Sequence, residues 1–490
     1  MLPRGSVTWT ARQRLVWGAW LALLVSLPVT SQPHLAAYVG GGPVSPLSLI
    51  PLALILAVGI APQLRFGLQL PRPSTPLLLF AAAAVLSTVL APWLGLAPFK
   101  GVDVVQRGLR GMMTLGIGVG FYLASAVIAD TPARIRASLI AIAVGAAVML
   151  AWSGLQLAHF PNRNDPYPVW MTQVHEWISL RELLRGRVSG MAYEPSWLAD
   201  QLVVFYLPLW TASVLRRETA FGIRRGAVTG ELMLLGWGTV ILLGTFSRIG
   251  VAAWLLVIGV LALAGGRALG QRLGFRGGRR WLGRVGPALG SLGVIVVGLI
   301  LLLAAAQVDR RVAQVFQIDV QAILESQHPV WYNLANRLRY AERVMYWTTA
   351  ARAFALYPVL GVGLGNTGFL IREVMPAFGY VLPEMLVAVD PGSPVFPNPK
   401  SLWFRLFSET GAVGFVLFAV FLVVAAAAGW LLHRRGQGVL GVIGVASLLS
   451  LLALLVEGFS LDTFALPHPW ILLGMTGGLW SRLALRDEAS

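Results

Sequence analysis

The sequence predicts an all-α polytopic membrane protein of about twelve transmembrane helices, with a large helical loop outside the bilayer between spans nine and ten. Three observations carry this. The chain has 490 residues, of which 57% are hydrophobic and only 12% charged, a composition that excludes a soluble enzyme. Its apolar runs have about the 17–25 residues that a bilayer core demands, and each must be helical because lipid cannot satisfy open backbone. The cationic residues fall between those runs in a pattern that allows one orientation.

The runs lie near 15–33, 45–62, 76–95, 111–129, 137–157, 197–215, 232–246, 249–265, 286–307, 401–432, 439–456 and 470–485. The first lacks a clear small-x-small cleavage site and is followed by eleven more, so it reads as a span rather than a removed leader. On this assignment Lys plus Arg divide 21 to 17 between the two sides, and Asp plus Glu divide 5 to 16. The N-terminal side then carries +16 and the far side +1. Positive loops stay in the cytoplasm. Both termini are therefore expected there, with the long loops 158–196 and 308–400 facing outward.

The seventh and eighth spans need a separate argument. From Leu232 to Ala264 the chain is apolar, broken only near Thr245, Ser247 and Arg248. Arg224 and Arg225 precede this run and the Arg267–Arg284 cluster follows it, so the number of crossings is even. The run is a hairpin with Arg248 at its outer turn. Its arms are about 22–26 Å long at helical rise, short of a core of about 30 Å. Arg248 is thus held in the interface, where a guanidinium needs an anion.

Three units follow: a membrane domain over 1–307 with the outer loop 158–196, an outer-face helical lid over 308–400, and a membrane domain over 401–490. Within the lid, Val312–Glu325 and Ala335–Tyr357 have apolar positions at helical spacing. Trp331, Tyr332, Tyr340, Tyr346 and Trp347 are too many aromatics for a disordered linker. In the shorter loop, Met171–Leu184 reads as an interfacial helix. Gly361–Gly368, GVGLGNTG, follows a helix rather than a strand, so it is a packing turn and not a nucleotide loop.

The formal charge of +17 points to anionic lipid beside the cytoplasmic loops, not to nucleic acid. There is no cysteine, hence no disulfide or thiolate chemistry, and six scattered histidines give no metal spacing. No cofactor is called for. Only Lys100 and Lys400 are lysine among 38 cations. That bias reflects an Arg-rich composition, though Arg also suits phosphate.

Four polar groups converge on the outer face. They are Arg185, Arg187 and Glu194 in LRGRVSGMAYEPSWLA; Arg248 in GTFSRIG; Arg339, Glu342, Arg343 and Arg352 ahead of YPVLGVGLGNTGF; and Lys400, Arg405 and Glu409 in NPKSLWFRLFSETGAVGF. Each has a plainer alternative. Arg405 and Glu409 are four residues apart and can pair on one helix face, although a helix from Ser401 to about Leu432 is long enough to carry both to the outer surface. Glu342 can pair with a neighbouring arginine, Arg185 can anchor the interface, and Glu194 can cap the span after Pro195.

In order and membrane placement, RGRVSGMAYEPSWLA, LLGTFSRIG, RAFALYPVLGVGLGN and KSLWFRLFSETGAVGF resemble the recurring segments of the O-antigen ligase and O-antigen polymerase superfamily, over roughly 180–430. The resemblance implies a GT-C-type, metal-independent, inverting glycosyltransferase of the bacterial inner membrane. Its donor would be a glycan on undecaprenyl pyrophosphate, with a chain-length regulator or flippase as a protein partner. Arg187 and Arg248 match the arginines that hold the pyrophosphate. Ligases of this family carry a His where this chain has Lys400, so the expectation is a polymerase. Glu194 is the first candidate base and Lys400 the second. Arg185, Arg343, Arg352, Arg405 and Glu409 are further candidates for binding substrate. The alternatives are a ligase that moves the glycan to lipid A core, and a lipid-linked oligosaccharide flippase.

Overall fold

The computed structural model describes residues 10–38, 42–64, 70–162, 165–226, 228–277, 296 and 329–489. The expected span 286–307, the segment Val312–Glu325 and most of the Arg267–Arg284 cluster lie outside the described residues or have no described side chains. Among the described residues, apart from a short hairpin of Arg224–Arg225 with Val228–Thr229, the elements are helical.

The principal helices are α1 (Ala11–Ser26), α2 (Leu49–Leu54, continued by a π-helical turn Ile55–Ile60), α3 (Ser74–Leu90), α4 (Val104–Ile128), α5 (Pro132–Ala158) and α6 (Val169–Ile178). They are followed by α7 (Pro195–Arg216), α8 (Gly230–Gly244), α9 (Arg248–Gly277), α10 (Val330–Arg337), α11 (Ala341–Leu356), α12 (Leu402–Arg435), α13 (Val439–Glu457) and α14 (Pro467–Ala489). Among the described residues seven helices are long and apolar enough to cross a membrane: α3, α4, α5, α7, α9, α12 and α13. The other described runs are also helical, but α1, α2 and α8 are shorter than a full crossing and α14 carries a charged end.

Prolines inside two helices show how a bilayer protein repairs its backbone. Pro62 and Pro208 lack the N–H that would serve the carbonyls of Val58 and Val204. Arg12 Nε donates to Val58 O at 2.8 Å, and the Ser450 hydroxyl of α13 donates to Val204 O. A π-helical turn precedes each proline, Ile55–Ile60 and Leu202–Tyr206.

The core is aromatic and glycine-lined. Phe80, Phe418, Phe421, Phe464, Tyr122 and Trp470 interlock between α3, α4, α12 and the start of α14. α14 lies against α4 through Gly474 and Gly478, where an added Cβ would stand 2.4 Å from Tyr122 O and 2.2 Å from Ala126 O. Small residues four apart let two helices approach this closely.

Two expectations are corrected. The run Ala335–Tyr357 is not one helix: Arg339 adopts φ 52° and the chain breaks into α10 and α11 there. The first turns of α12 do not expose Arg405 and Glu409. Gly411 (φ 63°, ψ −168°) kinks the helix, and the turn after α11 fills the kink. Ala412 and Val413 N–H donate to Pro358 O and Val359 O, while Val362 and Gly363 N–H donate to Ser408 O and Glu409 O. GVGLGNTG is therefore the joint that fixes the lid to the bundle, with Gly361, Gly363 and Gly365 at positive φ. The lid packs inward as well. Tyr332, Met345, Tyr346 and Met385 are buried, and Trp347 stacks on Phe404 of α12 at 5.6 Å.

Candidate functional site

The site is built at the end of the bundle that carries the lid. Its first wall is the segment between α6 and α7, which is wired on several sides. Leu180 N–H donates to Ser31 O, Tyr193 N–H to Thr30 Oγ1, and Val188 N–H to Gly244 O. Gln156 of α5 pins its middle: Oε1 accepts the N–H groups of Ser189 and Gly190 at 3.0 Å each. A loop so fully hydrogen-bonded positions its arginines as a helix would.

The second wall is the tight turn between α8 and α9, where the expected hairpin is found. Phe246 takes φ 48°, and Ser247 starts α9 by accepting Gly250 N–H at 3.3 Å. Arg187 Nε donates to Thr245 O at 3.0 Å, meeting a carbonyl that the end of α8 leaves open. Arg248 donates to Leu338 O and, at 3.3 Å, to Arg339 O. Its guanidinium lies 4.2 Å from the centroid of the Tyr340 ring. The counter-groups expected of an anion at Arg248 are thus partly backbone carbonyls of the lid.

The lid supplies the third wall through Arg339, Tyr340, Glu342 and Arg343, with Glu384 and Ser460 closing the edge. Together the walls enclose a polar cleft of about 260 Å³. Five guanidinium groups line it, those of Arg181, Arg187, Arg248, Arg339 and Arg343, against three carboxyls, those of Glu194, Glu342 and Glu384. Glu194 is bound by Arg181 Nη1 at 2.7 Å and by the Ser196 hydroxyl at 2.5 Å. It stands at the N-terminus of α7 without capping it through its side chain. Burial pushes the Tyr340 phenol up, a shift that Arg248 and Arg343 oppose. A surplus of fixed cations in a concave, partly desolvated site favours a multivalent anion.

The sequence candidates separate into two sets. Arg187, Glu194, Arg248 and Arg343 line the cleft. Arg185 is exposed, beyond the lining. Arg352 donates to Val374 O at 3.0 Å within the lid. Lys400 pairs with Glu384 at the cleft edge and lies 4.9 Å from the Tyr346 ring, while its carbonyl accepts from Arg343 Nη1 at 3.4 Å. Arg405 and Glu409 are not at the surface as expected. They form a buried ion pair at 2.8 Å, with side-chain exposures of 11% and 1%, and Arg405 also donates to Asp462 O.

Sequence reasoning missed Arg181, Glu384 and the placement of Tyr340. Arg181 was within reach, because it opens the basic run that holds Arg185 and Arg187. Glu384 had no signal, since its position depends on how the lid folds back. Among the described residues, no three His, Asp or Glu side chains are grouped to hold a metal ion.

The fold and site define a multi-pass helical membrane protein with a cationic cleft under a lid. A scan of protein-family models and a search of curated proteins each find no match to the chain.

Proposed function

We propose that the protein is a membrane glycosyltransferase of GT-C type, spanning the bacterial inner membrane about twelve times with its termini in the cytoplasm. It joins glycan repeat units carried on undecaprenyl pyrophosphate at the outer face. The observation that carries this reading is the convergence of five guanidinium groups, from three separate chain segments, on one cleft at the lid end. Breaking a glycosyl–phosphate bond releases a pyrophosphate. Fixed guanidinium groups stabilise the charge that develops on its oxygens.

In this reading the donor pyrophosphate lies against Arg187, Arg248 and Arg343, with its lipid in the bilayer. The acceptor hydroxyl attacks the anomeric carbon from the opposite face, inverting it in one displacement. Glu194 faces the cleft and takes the hydroxyl proton, and Arg181 and Ser196 hold its carboxylate in place. A polymerase is favoured over a ligase because, among the described residues, no histidine lines the cleft. Purified protein in nanodiscs, given a lipid-linked oligosaccharide, is expected to lengthen it into a ladder. A single transfer to a different acceptor would instead support a ligase. Movement of intact donor across the bilayer without any new glycosidic bond would reject the enzyme reading for a flippase.

A further inference from the structure

Beneath the cleft lie two carboxyl groups that the mechanism above does not use. Asp200 sits four residues past the cleft-lining Ser196, on the same face of α7 and about 6 Å deeper. Glu457 ends α13, three residues before the cleft-lining Ser460, whose N–H donates to Glu457 O at 2.7 Å. Their exposures are 2% and 1%. Among the described residues neither Asp200 oxygen has a hydrogen-bond partner, nor does Glu457 Oε2. The side-chain carbonyl oxygen of Gln201, fully buried beside Asp200, is likewise without one.

The charges that Glu457 faces are Asp200 from α7 and Arg343 from α11, and Tyr340 of the lid faces Glu457 in turn. Arg343 also lines the cleft and faces the buried Asp462 between α13 and α14, so one cation serves these carboxyls and any anion above. Two ionised carboxylates this buried, with three of their four oxygens lacking hydrogen bonds among the described residues, are costly, and one proton between them removes most of that cost. Ionisable groups buried inside a membrane protein are candidates for function.

We infer that Asp200 and Glu457 form a proton-binding site linked to the cleft, which takes up a proton from solvent when a pyrophosphate settles on Arg343. With the cleft open, Arg343 supports one ionised carboxylate in the pair. A pyrophosphate there adds negative charge above the pair and takes up the field of Arg343, so a proton moves onto the carboxyls. This rests on the reading of the cleft as a pyrophosphate site. By linkage, affinity for the anion then strengthens as pH falls.

The test uses the full chain in nanodiscs with farnesyl pyrophosphate as the probe. Calorimetry in buffers of different ionisation heat counts protons taken up on binding, after correction for the probe's own titration. The wild type is expected to take up as much as about one proton more than the double variant Asp200→Asn with Glu457→Gln, which has no carboxyl left in the pair. Infrared difference spectra of the wild type should gain a protonated-carboxyl band when the probe is added. Equal proton counts with binding retained, or a wild-type spectrum without that band, would overturn the inference. If a variant does not fold, the wild-type proton count and spectrum decide. Failure of the wild type to bind the probe at all would reject the pyrophosphate reading itself, and the linkage with it.

Discussion

Arg187 donates its Nε to the carbonyl of Thr245 at 3.0 Å, and so joins the loop before α7 to the turn that presents Arg248. The two arginines belong to segments about sixty residues apart in the chain, and this bond, with the one from Val188 N–H to Gly244 O, holds them at a common cleft. Under the proposed function Arg187 has two roles, one in the fold and one toward an anion, that a mutation removes together. In Arg187→Ala the Thr245 carbonyl loses its partner and the cleft loses a cation. Turnover of a lipid-linked oligosaccharide should fall at least ten- to a hundredfold, the equivalent of about 1.5–3 kcal/mol for a charge-assisted contact. Turnover within a few-fold of wild type would reject the role toward substrate.

Arg248 is bound to the lid as well as to the cleft, so its variants should separate two effects. Arg248→Lys keeps the charge but loses the planar fork that reaches both Leu338 O and Arg339 O. It should recover only part of the turnover lost in Arg248→Ala. In the alanine variant the lid should also open more readily, seen as faster amide exchange over 338–343. Unchanged exchange in that region would show that the lid is held elsewhere.

How much of this was legible in the sequence follows from the range of each interaction. The break in the apolar run at Arg248 was readable, because Thr245, Ser247 and Arg248 interrupt it locally. The burial of Arg405 and Glu409 was not, because Gly411 lets α12 kink only when the backbone from Pro358 to Gly363 is present to bond into the gap. Spacing put those two residues on one helix face but could not say which neighbour covers it. Asp200 and Glu457 were counted among outward-side charges on the same grounds, and only the packing of α7 on α13 shows them enclosed. The break at Arg339 escaped helical periodicity because a single residue at positive φ leaves the apolar pattern intact.

Gly411 offers a direct test of that joint. A Cβ there would stand 2.3 Å from Val359 O, and its φ of 63° disfavours any side chain. Gly411→Ala should therefore cost several kcal/mol, on the order of 3 or more, through strain and displaced backbone hydrogen bonds. Gly95 has a similar φ of 69° with nothing within 4 Å of an added Cβ. Gly95→Ala should cost only about 1 kcal/mol. Thermal melts of the two variants in one detergent should differ clearly, and equal melting temperatures would remove the joint from the account.

His175 on α6 should make stability depend on pH. Its ring is stacked on Trp152 at 6.3 Å and is 2% exposed. Burial pushes the imidazole down to about 4, from an ordinary value near 6.5. Between those values the unfolded chain binds more protons than the folded one, so stability rises with pH there. The contribution is whole above about pH 6.5 and is lost as pH falls toward 4, to a limit of about 3 kcal/mol. Melting temperature should decline over that window, and the decline should flatten in His175→Phe. An identical slope in both proteins would assign the acid sensitivity to other groups.

The identity of the base in the proposed transfer can be decided between Glu194 and Lys400. Glu194 lines the cleft with its carboxylate oriented by Arg181 and Ser196, whereas the Lys400 ammonium is paired with Glu384 at the edge. A base must come within hydrogen-bond reach of the acceptor hydroxyl, and a paired ammonium has no lone pair to offer. Glu194→Gln keeps the shape and a hydrogen-bond acceptor but loses the proton site. Its kcat should fall by about 10²–10⁴-fold with KM little changed. Lys400→Ala should lower turnover less than tenfold, because a half-exposed ion pair contributes at most about 1 kcal/mol. Arg181→Ala should fall between them, since it leaves the carboxylate in place and removes only its orientation. The reverse order, with Lys400→Ala inactive and Glu194→Gln active, would transfer the proton to Lys400 and require the Glu384 pair to open before each turnover.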